Sequence, residues 1–92
     1  MTPEGKVKAA VKKWLKSQGA YFFMPVQSGY GVATLDFLVC LNGNFYAIET
    51  KAPGKKPTPR QWLIMEEINA AGGRAFWADS VEMVARMMGY EK

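Results

Sequence analysis

The sequence contains no histidine and a single cysteine, Cys40, among its 92 residues. These absences exclude a zinc site built from Cys and His ligands, a Ser-His-Asp triad, a Cys-His dyad and any hydrolase that uses histidine as its base. A single cysteine cannot form an internal disulfide, so nothing requires an oxidising compartment and we expect a cytoplasmic protein. The groups that remain for chemistry are carboxylates, lysines, tyrosines and hydroxyls.

Long apolar segments are also missing. No run approaches the roughly 18 residues that a membrane span needs, and the charged N-terminal stretch has no apolar core of a secretory signal. We therefore expect no membrane association. The composition, 49% hydrophobic and 22% charged, is typical of a folded protein, and residues 1–92 are expected to form one domain. The net charge of +4 is a weak indication of a nucleic acid partner.

Apolar periodicity and turn residues predict the order helix, three strands, helix, strand, helix. The first helix is opened by Thr2 and Pro3 and ended by Gly19, and a second runs from Thr58 and Pro59 to the glycines at 72 and 73. The predicted strands cover residues 21–26, 35–41, 45–51 and 74–78. A last helix covers residues 81–88, with Asp79 and Glu82 as an acidic capping box. This αβββαβα order predicts an α/β domain with one mixed central sheet flanked by helices.

The first helix is amphipathic. On a wheel of about 100° per residue its apolar stripe includes Val11 and Leu15, while its lysines fill the outer face and are interpreted as a solvated surface. Glu4 falls in line with the stripe, so we predict a carboxylate that points inward. An inward acid is costly unless something binds it.

The hairpin between the second and third strands determines where three charged residues lie. If Asn42 and Gly43 form a two-residue turn, Asp36 stands across from Glu49, and Lys51 shares the face of Glu49. Moving the turn by one residue sets Asp36 against Lys51, and all three still share one face. A three-residue loop would instead place Asp36 on the opposite face.

Two carboxylates that face each other repel unless a cation lies between them. Mg²⁺ suits such a gap, because it takes one or two carboxylates together with waters and phosphate oxygens. A lysine on the same face could hold or deprotonate a metal-bound water and offset charge on a phosphoryl group. Charged residues are common on a solvated hairpin, but the strands here are otherwise apolar, so the charges interrupt buried surface.

These residues resemble a known family. Asp36, then Glu49-Thr50-Lys51 across a hairpin, after a helix with Glu4 and before a helix with Gln61, resemble the PD-(D/E)XK nuclease superfamily. More narrowly, the chain is similar to the stand-alone VRR-NUC (viral-type replication-repair nuclease) domains of phages and bacteria. The similarity covers nearly the whole chain, including the glycines at 29 and 31. One departure is Leu35, where the family usually has proline.

The resemblance implies a restriction-endonuclease-like fold and a role for each site residue. Asp36 and Glu49 would ligate Mg²⁺ or Mn²⁺, with the backbone carbonyl of Thr50 as a further ligand and Lys51 as the catalytic lysine. Glu4 would join the metal or its outer shell, and Gln61 would position water, lysine or phosphate. The implied activity is metal-dependent cleavage of branched DNA, such as a four-way (Holliday) junction, in a bacterial cell or a phage-infected host, with no small-molecule cofactor.

Several of these residues have a second interpretation. Thr58 and Gln61 fit a helix capping box, so Gln61 has either a structural or a catalytic role. Lys55, Lys56 and Arg60 are predicted to contact phosphate, although a solvated loop is the simpler interpretation. Tyr30 could stack on a base or close its loop, and the three tryptophans are assigned to the core.

The last helix is apolar nearly all round, which predicts an interface, and the family's stand-alone members are dimers, so we expect a homodimer.

Three kinds of function remain open at this point: a nuclease, a nucleic-acid-binding module and a protein-interaction domain. The main hypothesis is a junction-cutting endonuclease. The alternatives are a nuclease of the same fold that acts on flaps or nicks, a non-catalytic module that binds nucleic acid, and a protein-interaction domain.

Overall fold

The computed structural model describes residues 1–26 and 33–90. Within these residues, three helices and four strands follow one another in the predicted order. They are α1 (Pro3–Ser17), β1 (Tyr21–Phe23), β2 (Phe37–Leu41), β3 (Asn44–Thr50), α2 (Pro59–Ala70), β4 (Arg74–Ala78) and α3 (Val81–Met88). In the described part of the chain, none of the helices has the length and hydropathy needed to cross a membrane.

The strands form one mixed sheet in the order β1, β2, β3, β4. The first three strands are antiparallel, and β4 returns through α2 to pair parallel with β3. The α/β class and the mixed sheet are confirmed. The first strand is shorter than predicted and ends at Phe23, and Pro25, which cannot donate to a strand ladder, follows two residues later.

The hairpin register agrees with the two-residue turn. Leu41 pairs with Asn44 and Phe37 with Ile48. Asn42 and Gly43 have φ values of 51° and 80°, the left-handed conformation that both central residues of a type I′ turn require. Because a slip of one residue would turn every side chain to the other face, this turn determines which strand residues reach the site.

The two faces of the sheet are covered differently. On one face, α1 and α3 pack through Val11, Leu15, Val84 and Met88 against a large apolar cluster of all four strands. On the other face, α2 packs through Met65 against a smaller cluster that includes Leu35 and Ala47. Tyr21, Phe23 and Phe45 also point to the α2 side by strand alternation, but they remain 81%, 59% and 45% exposed.

Two predicted details, the cap of α3 and the burial of Trp62, are wrong. The cap of α3 is Ser80, whose hydroxyl accepts from the backbone N–H of Met83, and not Asp79. A serine directly before the first helical residue reaches that N–H with a shorter side chain. Trp62, assigned to the core, is 46% exposed, because α2 turns Met65 and not Trp62 toward the sheet.

Replacing Gly43 by Ala is expected to lower the free energy of unfolding by about 1 kcal/mol, because a residue with a Cβ is strained at positive φ. Urea denaturation of the two proteins measures this difference. An unchanged midpoint would mean that the turn does not constrain the hairpin in solution.

Candidate active site

Asp36 lies in a bend one residue before β2, just outside the hairpin ladder. Its Oδ2 atom accepts two hydrogen bonds from Thr50 at the end of β3, one from the backbone N–H at 3.0 Å and one from the hydroxyl at 2.6 Å. Asp36 is therefore held by hydrogen bonds from the end of β3. The sequence had instead predicted that Asp36 pairs with Glu49 across the two strands. The role of the Thr50 carbonyl as a ligand stays a prediction.

Glu49 is the most unusual carboxylate of the site, because it lies inside the sheet and is 5% exposed. The Lys51 ammonium is 3.8 Å from Glu49 Oε2, which agrees with two side chains that point to the same face of β3. The side chain of Lys51 is itself only 12% exposed. The site thus contains a buried acid and a nearly buried lysine side by side.

Gln61 makes the predicted capping contact with Thr58 and a second contact, with Glu49, that the sequence did not predict; its role toward water, lysine or phosphate stays a prediction. The Gln61 side-chain Oε1 accepts from the backbone N–H of Thr58 at 3.0 Å. The backbone N–H of Gln61 donates to the Thr58 hydroxyl at 3.2 Å, which completes the capping box of α2. Its Nε2 donates to Glu49 Oε2 at 3.0 Å. The cap fixes which end of the amide faces outward, so the NH₂ group points at the carboxylate.

The pKa of the Glu49 carboxyl is raised from its ordinary value of 4.5 to about 7, and burial is the largest cause. The negative charges of Asp36 and Glu4 contribute to this rise, and the Lys51 ammonium opposes it. Without a bound cation, the site therefore holds a carboxyl that is close to half protonated at neutral pH.

Glu4 affects the site through its negative charge, which contributes to the raised pKa of Glu49. Its side chain is exposed, which corrects the prediction of an inward acid, because α1 packs on the sheet through Val11 and Leu15 and leaves its first turn outside the core. Among residues 1–26 and 33–90, no three acidic, Cys or His side chains are grouped closely enough to hold a metal. Asp36 and Glu49 alone still fit Mg²⁺ or Mn²⁺, whose other ligands are commonly waters and phosphate oxygens.

Lys8 is a site residue that the sequence interpretation missed. Its ammonium is 3.5 Å from Asp36 Oδ1, although the lysines of α1 had been assigned to a solvated face. A signal was available, because Lys8 falls at about 60° on the helical wheel, at the edge of the apolar stripe. Lys6, Lys12, Lys13 and Lys16 are exposed, as expected.

A cleft of about 260 Å³ opens beside the two acids, and Asp36, Glu49, Arg60 and Gln61 are among its lining residues. Arg60 therefore lies at the site, whereas Lys55 is on the exposed loop before α2. The Lys56 ammonium lies 4.8 Å from the centre of the Trp77 ring, in a cation–π contact. Tyr30 lies outside the described residues.

No model of a known protein family matches the sequence, and no curated protein matches it. Among solved structures, a chain described as a VRR_NUC domain is similar, with a TM-score of 0.81 and 23% sequence identity. The match covers 100% of this chain and 100% of that chain.

The comparison defines the class of fold as a small α/β domain with a mixed four-stranded sheet between helices. In particular, it is the fold of a VRR_NUC domain, as the resemblance in the sequence had predicted.

Replacing Glu49 by Gln is expected to change how stability depends on pH in metal-free buffer. The folded state of the unsubstituted protein binds more protons than the unfolded state between about pH 4.5 and about pH 7, so its stability falls as the pH rises through that window. The variant lacks this loss, which is on the order of 3 kcal/mol. Urea denaturation at about pH 5 and about pH 8 measures the difference.

The matched control is Glu66→Gln, which removes an exposed carboxylate of α2. This control should follow the unsubstituted protein at both pH values. Parallel pH profiles for all three proteins would show that Glu49 is not the group that titrates.

Proposed function

We propose that the chain is a divalent-metal-dependent endonuclease of the VRR-NUC family that hydrolyses phosphodiester bonds of branched DNA, such as four-way junctions. The observation that carries the proposal is that Asp36, Glu49 and Gln61 line one cleft, with the Lys51 ammonium 3.8 Å from Glu49 Oε2. A buried acid next to a second acid is costly in the absence of a cation, so stability alone does not account for this arrangement.

The mechanism assigns a task to each group. When bound, a divalent cation supplies Lewis-acid stabilisation of the phosphate and makes a bound water more acidic. Asp36 and Glu49 would hold that cation, and they are positioned by hydrogen bonds from Thr50 to Asp36 and from Gln61 to Glu49.

Positively charged side chains of the protein complete the proposed mechanism. As an ammonium, Lys51 would hold the attacking water by donating a hydrogen bond to it and would offset charge on the phosphoryl oxygens. Arg60, on the wall of the cleft, contacts a phosphate of the substrate, with Lys55 and Lys56 on the preceding loop as further contacts.

Replacing Lys51 by Ala is expected to lower the cleavage rate by about a hundredfold or more while DNA affinity changes little. The measurement uses labelled linear, flap and four-way DNA with Mg²⁺ or Mn²⁺, together with binding in Ca²⁺. Chelation by EDTA should also stop cleavage.

The control is Lys13→Ala, which removes one charge from the exposed face of α1. Preferred cleavage of flaps would point to a different substrate for the same chemistry. Binding without cleavage would leave a non-catalytic module, and no binding at low salt would favour a protein-interaction domain.

The proposed homodimer is supported by apolar surface that this chain leaves uncovered. Most of α3 does not provide it, because Val84 and Met88 are buried in the chain's own core and Met87 is 49% exposed. The larger uncovered surface is the α2 side of β1 with Phe45, where Tyr21 and Phe23 are exposed. A second copy that covers this aromatic face would bury surface that a monomer leaves in water.

Light scattering at micromolar concentration is expected to give about twice the chain mass of 10.3 kDa. Phe23→Glu should reduce this mass to that of a monomer, because it places a charge in the aromatic face. Met87→Glu is the matched variant on α3. If Met87→Glu is monomeric and Phe23→Glu remains a dimer, the interface lies on the last helix. A monomeric unsubstituted protein would contradict the dimer.

A further inference from the structure

We infer that the Lys8 ammonium competes with the divalent cation at Asp36. It occupies this carboxylate while no cation is bound, and it thereby lowers the affinity of the site for the cation. The inference rests on the proposed metal-dependent function, but it concerns a residue of α1 that lies outside the Asp36, Glu49 and Lys51 set.

The two oxygens of Asp36 have different partners. Oδ2 accepts both hydrogen bonds from Thr50, while Oδ1 is the atom that lies 3.5 Å from Lys8 Nζ. Lys8 therefore contacts the oxygen that Thr50 does not use. A divalent cation that binds Asp36 would use the same negatively charged carboxylate. The ammonium and the divalent cation would therefore each weaken the binding of the other.

The environment of Lys8 allows it to leave. Its side chain is 38% exposed, compared with 13% for Asp36, and its distance of 3.5 Å is longer than that of a short charged hydrogen bond. A lysine ammonium on a flexible stem is readily hydrated when it leaves its partner. Lys51 differs, because its side chain is 12% exposed beside the buried Glu49.

In the cation-free protein, Lys8 offsets part of the negative charge at the site. Asp36 and Glu49 line one cleft, and Glu4 adds a third negative charge within electrostatic range of Glu49. Lys8 pairs with Asp36, and Lys51 pairs with Glu49. A bound cation would replace a charge that the chain already supplies, so the expected affinity for the cation is smaller than that of two uncompensated carboxylates.

The test compares Lys8→Met with Lys6→Met by Mn²⁺ titration, followed by electron paramagnetic resonance or calorimetry in the absence of DNA. Methionine keeps an unbranched side chain with similar helix propensity. Lys6 provides the matched loss of charge, because it is exposed and about 200° away from Lys8 around the helix.

Lys8→Met is expected to bind Mn²⁺ about fivefold more tightly than the unsubstituted protein, which is the upper range for an ion pair of partial exposure. Lys6→Met should change the affinity by about twofold or less, because exposed charges at longer range are screened. Lys8→Arg, which keeps the charge, should restore the weaker binding. Lys8→Gln repeats the test with a polar side chain in case methionine disturbs the fold.

A second readout uses thermal unfolding. Saturating Mn²⁺ should raise the midpoint of Lys8→Met by more than it raises that of Lys6→Met, because the cation replaces a lost ion pair only in the first variant. Equal Mn²⁺ affinities for these two variants would overturn the inference about Lys8 and leave the proposed nuclease function standing. If the unsubstituted protein binds Mn²⁺ no better than Asp36→Asn, the proposed metal site and the inference fail together.

Discussion

The burial of a carboxylate next to a second carboxylate is the constraint on which the rest of the site depends. Glu49 lies inside the sheet, and its charge is opposed both by low solvent access and by Asp36. The chain offsets this cost with contacts from separate segments: Lys51 directly after β3, Gln61 from α2, and Lys8 of α1 through Asp36. Forming the site therefore requires that both helical layers are already packed on the sheet.

This dependence explains the position of the site in the fold. Asp36 and Glu49 lie where β2 begins and β3 ends, at the sheet end that the second turn of α1 and the first turn of α2 also approach. The helix starts bring different groups, since α1 supplies a flexible cation and α2 supplies a fixed amide. The apolar clusters on the two faces hold these helices in place, so the core positions the polar groups of the cleft.

Residue chemistry and short-range turn rules were enough to predict much of this arrangement. The Asn42-Gly43 pair predicted the hairpin register, and strand alternation predicted that Glu49 and Lys51 share one side. The bend at Asp36 could not be predicted in the same way, because it depends on hydrogen bonds from Thr50 that lie beyond the ladder. Lys8 was missed because a wheel separates apolar from polar positions and contains no information about the acid that the sheet brings beside the helix.

Gln61 shows how two small tasks narrow the choice of side chain at one position. A capping box accepts either glutamate or glutamine at its last position, and an amide donor to Glu49 could come from glutamine or asparagine. Only glutamine satisfies both requirements at this site, because glutamate would set a third acid against Glu49 and asparagine is one methylene shorter. Position 61 is therefore less free to vary than either helix capping or site chemistry alone would make it.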